Sequence, residues 1–67
     1  MMIRVEVSID GKPTRREMFV DMTVLEMTTV LLENSDYRVV SQHANETHLV
    51  GESFGKQTAI TVHRIGE

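Results

Sequence analysis

The chain has 67 residues, a net charge of −3 and no cysteine, which points to one domain with a small core and excludes disulfides, thiolate metal sites and cysteine nucleophiles. Seven basic residues against ten acidic ones do not build the concentrated positive face that non-specific nucleic-acid binding requires. No apolar run approaches the roughly 20 residues of a membrane-spanning helix, and no basic segment leads into a hydrophobic one at the start, so the expectation is a cytoplasmic protein without membrane or nucleic-acid partners.

Met2 to Ile9 alternates, with Ile3, Val5, Val7 and Ile9 on one face and Arg4, Glu6 and Ser8 on the other, the period of a half-buried strand. Asp10-Gly11-Lys12-Pro13 reads as a turn and Thr14 to Val20 as the returning strand. A four-residue turn places Met18 and Val20 on the face of Val5 and Ile3 and turns Phe19 outward; a three-residue turn reverses this. Asp21 to Ser35 is the helix. Thr23 as N-cap and Glu26 three residues later form a capping box, each side chain meeting the other residue's free backbone N–H. Val24, Leu25, Met27, Leu31 and Leu32 spread over an apolar arc wider than one sheet contact needs. Asn34-Ser35-Asp36 stops the helix with residues that tolerate turn conformations.

Three further strands follow, over Tyr37 to His43, His48 to Gly51 and Thr58 to Ile65, with hairpins around Asn45-Glu46 and across Ser53-Phe54-Gly55-Lys56. The predicted architecture is a single α+β domain over residues 1–67 in the order ββαβββ, a mostly antiparallel sheet packed on one helix. In that register Val40, Leu49, Ile60 and Val62 face the helix. The open face carries Tyr37, Val39, His43, His48, Val50, Thr61 and His63, more apolar and aromatic character than a solvated exterior requires.

The run Val7-Ser8-Ile9-Asp10-Gly11-Lys12, a short second strand, and then Val20-Asp21-Met22-Thr23-Val24-Leu25-Glu26 resembles the start of β-grasp domains of the ubiquitin-like and plant-type ferredoxin kind. The resemblance covers the first half of the chain. It implies a scaffold that often serves as a binding module. Without cysteine there is no iron–sulfur cluster, and Arg64-Ile65-Gly66-Glu67 lacks the terminal diglycine of sulfur carriers and ubiquitin-like modifiers.

Little in the chain reads as chemistry. Gly51 to Thr58 departs from a phosphate-binding loop: three residues separate Gly51 from Gly55, Gln57 follows Lys56 where Ser or Thr would hold magnesium, and a strand follows where a helix is needed. Ser41 and Ser53 lack the strained turn that exposes a nucleophile, while Asp10, Asp21 and Asp36 read as turn or cap residues. One chain of this size is expected to lack room for a pocket of ~300 Å³ or more. Met18, Met22 and Met27 with Phe19 read as core packing, with an adaptable recognition patch as the alternative. A hairpin closed at Asn45-Glu46 sets His43 opposite His48, with His63 on the next strand. Three imidazoles on one face suit zinc, or an interface that gains like charges on acidification. With no carboxylate placed beside them, neither a metal site nor a cofactor is expected.

The function expected is therefore that of a small non-enzymatic protein-interaction module, in the manner of phage and mobile-element accessory proteins that inhibit a host protein. Its contact residues would be Tyr37, Val39, His43, His48, Val50 and His63, beginning with a homodimer across that face. The alternative is a small-molecule or nucleotide binder with its pocket between subunits, where Arg15, Arg16 and Lys56 hold an anion.

Overall fold

In the computed structural model the described residues are 1–10, 15–33, 36–53 and 55–66, with backbone alone for Arg15 and Ser53. The central residues of the first predicted turn, Gly11-Lys12-Pro13, lie outside them, as do the Asn34-Ser35 helix stop and Phe54 of the last hairpin. Strands β1 (Met2–Ile9) and β2 (Arg15–Asp21) precede helix α1 (Val24–Glu33), and β3 (Tyr37–His43), β4 (Glu46–Ser53) and β5 (Lys56–Arg64) follow. All four strand pairings are antiparallel, in the order β2-β1-β5-β4-β3.

This order puts the two strands flanking α1 on opposite edges of the sheet. The outer strands stand roughly 19 Å apart at ~4.8 Å per strand. A ten-residue helix spans about 15 Å, so α1 and its short connections cross the sheet in one pass. The helix packs over β3, β4 and β5, leaving the β1–β2 end of that side less covered. Its start is fixed by the capping box: the Glu26 N–H donates to Thr23 Oγ1 at 3.0 Å and the Thr23 N–H to Glu26 Oε1 at 3.3 Å. Thr23→Ala is expected to cost about 1 kcal/mol, measured as a shift in urea midpoint at unchanged slope.

The core is the layer between helix and sheet, with Ile3, Val5, Leu49, Ile60 and Val62 from the strands against Val24 and Met27 of α1. The first hairpin has the register of a four-residue turn, Val5 opposite Met18 and Ile3 opposite Val20, with Phe19 on the far face opposite Arg4. Met27 is buried and Met22 packs against the core, but Met18 and Phe19 are 51% and 60% exposed. The methionine cluster thus splits: β2 is an edge strand away from the main contacts of α1, and its middle is exposed. Thr47 lies in the core layer at 0% exposure with its hydroxyl unpartnered. Because a buried unsatisfied hydroxyl is costly, Thr47→Val is expected to stabilise the fold by roughly 1 kcal/mol, read from the same denaturation curve.

Candidate functional site

Residues directly paired across antiparallel strands share a face. Tyr37 pairs with Gly51 and Val39 with buried Leu49, so both lie on the helix side, where they pack against the core. Their expected place on the open face is corrected. The register shifts between Val39 and Ser41, and the extra residue is Val40, which is 59% exposed instead of facing the helix. A bulge adds one residue to one strand and so exchanges the faces on either side of it. Beyond the bulge Ser41 pairs with His48 and His43 with Glu46, and these lie on the uncovered face with Val50, Thr61 and His63.

The hairpin between β3 and β4 also differs from the expected one. It turns at Ala44-Asn45, not Asn45-Glu46, and His43 therefore opposes Glu46 instead of His48. Strand β4 begins earlier than expected, at Glu46. Glu46 then has His63 opposite it on β5 and His48 two residues on along its own face. His48 Nε2 is 2.7 Å from Glu46 Oε2, and His63 Nδ1 is 2.9 Å from Glu46 Oε1. With His48 donating from Nε2, its Nδ1 accepts the Thr61 hydroxyl at 3.2 Å, a tautomer assigned from the hydrogen-bond pattern. A carboxylate is thus in place beside the histidines, at the β3–β4 hairpin end of the face. Among the described residues no three His, Asp or Glu side chains are arranged to hold a metal ion.

Around this bridge the face is polar, not apolar as expected. Arg4 Nε lies 2.9 Å from Glu6 Oε1, an ion pair without hydrogen-bond alignment. Arg38 is exposed opposite Val50, and His43 is exposed at the end of β3. A depression of about 570 Å³, open to solvent and larger than the sequence suggested, lies at the other end of the face and is lined by Arg38, Val50, Glu52 and Gln57 among others.

The hydrogen bonds from His48 and then His63 hold the Glu46 carboxyl below the ordinary carboxylate range, against a smaller opposing effect of desolvation. A depressed carboxyl stabilises the fold above its unfolded-state pKa of 4.5, and that contribution is lost as pH falls through the folded value. Glu46→Gln should therefore melt below the wild type at neutral pH, and the gap should close as the pH is lowered past 4.5. Thermal melts from neutral to acidic pH measure it.

The three cations of the anion-binding alternative are not brought together within one chain. Arg16 pairs with Val7, which pairs with Ile60; Lys56 lies four residues further along β5, roughly 13 Å away along the strand at ~3.3 Å per residue. Arg15 pairs with Ser8 at the start of β2. The Gly51–Thr58 segment is a hairpin in which Ser53 pairs with Lys56 and Glu52 with Gln57. Among the described residues no helix is long and apolar enough to cross a membrane. No family model, curated protein or solved structure matches the chain.

Proposed function

We propose that the protein is a small non-enzymatic protein-interaction module that docks on another protein, and inhibits it, through the uncovered sheet face bearing His43, His48, Val50 and His63. The observation that carries this reading is the bridge on that face: Glu46 holds His48 and His63 in fixed positions on the side of β4 and β5 opposite α1, which no other element among the described residues covers. Polar groups ordered before contact lose less conformational freedom on binding. Tyr37 and Val39 leave the contact set because they pack in the core. The β-grasp likeness of residues 7–26 supplies the hairpin and helix of a ββαβββ scaffold. The size, acidity and lack of cysteine suit a cytoplasmic accessory protein of a phage or mobile element.

Paired affinity capture tests the reading, with wild type, Val50→Asp and Leu32→Asp as baits in lysate of the source cells. A partner kept by wild type and Leu32→Asp but lost by Val50→Asp supports it. Equal retention by all three, or no specific partner for the wild type, would overturn it.

A further inference from the structure

The two edges of the sheet differ. On β3 the bulge at Val40 interrupts the ladder, a feature that blunts an edge against further pairing. Strand β2 has no such guard: it pairs with β1 from Asp21 to Arg15 without a register shift and presents its other side to solvent. Its midpoint is Met18, next to Phe19, both more than half exposed. The helix lies over β3, β4 and β5, so it stays clear of this edge.

We infer that β2 is a self-pairing edge, and that two copies of the chain join through it, antiparallel about Met18, into one continuous ten-stranded sheet with both helices on the same side. A two-fold axis that sets two such strands side by side runs perpendicular to the sheet, so each face continues into the same face of the other copy. Only registers differing by two residues are then open to it, and charge selects among them. Centring on Glu17 opposes Glu17 to itself, and centring on Phe19 opposes Glu17 to Asp21; like charges directly opposite are destabilising. Centring on Met18 sets Arg15 opposite Asp21, Arg16 opposite Val20 and Glu17 opposite Phe19, so all seven residues pair and no like charges stand directly opposite one another. Asp21 already accepts a bond from the Met1 amino group at 2.8 Å, and it is exposed enough to take the second cation beside it. Each Met18 meets its symmetry mate on the helix side, at the end of the sheet that α1 covers least.

Dimerisation through β2 is a surface separate from the histidine face, so the two proposals stand or fall independently.

The chain has no cysteine, which makes a single-cysteine cross-link a clean test. Directly paired Cα atoms stand about 4.5–5.5 Å apart, inside the span of a disulfide. Under mild oxidation Met18→Cys should convert the bulk of the protein to a covalent dimer, whereas Val40→Cys, on the bulged edge, should stay monomeric on a denaturing gel. In parallel, light scattering coupled to size exclusion should give twice the chain mass for the wild type. Asp21→Arg should weaken association about tenfold, since two symmetric pairs change sign, and adding Arg15→Asp should restore it. A wild type that is monomeric throughout the micromolar range would overturn the inference. So would cross-linking through Val40→Cys in preference to Met18→Cys, or a dimer indifferent to both charge reversals.

Discussion

Leu49→Ala is expected to lower the stability of the fold by about 3 kcal/mol, within the 2–5 kcal/mol range of buried leucine truncations. Leu49 is 1% exposed and sits mid-sheet, paired with Val39 on one side and Ile60 on the other, so a cavity there cannot collapse without moving both neighbours. A domain of this size has roughly 3–10 kcal/mol in total. The variant should therefore lose much of its urea resistance and be partly unfolded at 37 °C. The same truncation at Leu32, on the exposed side of α1, should stay within about 0.5 kcal/mol of wild type. Equal losses at the two positions would mean that the core lies elsewhere.

Gly51→Ala is the second large effect expected, and its sign is the informative part. A glycine inside an ordinary strand is improved by a methyl group, because the unfolded chain loses freedom and the strand gains a contact. Here a Cβ would stand 2.5 Å from Cδ1 and 2.9 Å from Cε1 of the Tyr37 ring, and closer still to the Asp36 carbonyl oxygen. The ring could turn away, but the carbonyl belongs to the backbone where β3 begins. The substitution should cost about 1–3 kcal/mol or more. Tyr37 is the sole tyrosine in a chain without tryptophan, so intrinsic fluorescence reports whether its packing is disturbed in the folded state, and urea denaturation gives the loss.

The parts of the fold that could be read from the sequence are those encoded by neighbours in the chain. Thr23 and Glu26 form the capping box because three residues separate them, and that spacing is visible without a structure. The alternation of Ile3, Val5 and Val7 settles the face of β1, but the first register stayed open between a four-residue and a three-residue turn, and the observed pairing is that of the four-residue turn. The β3–β4 hairpin was harder for two separate reasons. Its turn at Ala44-Asn45 lacks a glycine to mark it, and moving the turn by one residue changes the pairing by two, which keeps His43 and His48 on one face but replaces His48 by Glu46 as the residue opposite His43. The bulge changes the pairing by one. It turns Tyr37 and Val39 over to the helix side, and two successive valines at 39 and 40 give no pattern from which to choose the extra residue. Glu46 was missed because a loop residue in the wrong register had no reason to approach a histidine. The surplus of apolar residues was real, but it lies on β2, where Phe19 shares the open face with His63 and Met18 lies on the helix side, and on the outer side of α1.

What the uncovered face offers to a partner depends on that bulge and turn, because together they bring the histidines around Glu46 and send Tyr37 and Val39 into the core. The most direct measurement is the set of cross-strand nuclear Overhauser effects between β3 and β4 in solution. Contacts linking Val39 to Leu49, Ser41 to His48 and His43 to Glu46 are predicted, with Val40 unpaired. A regular ladder that places His43 opposite His48 and Val40 opposite Gly51 would contradict it, and with it the proposed binding face.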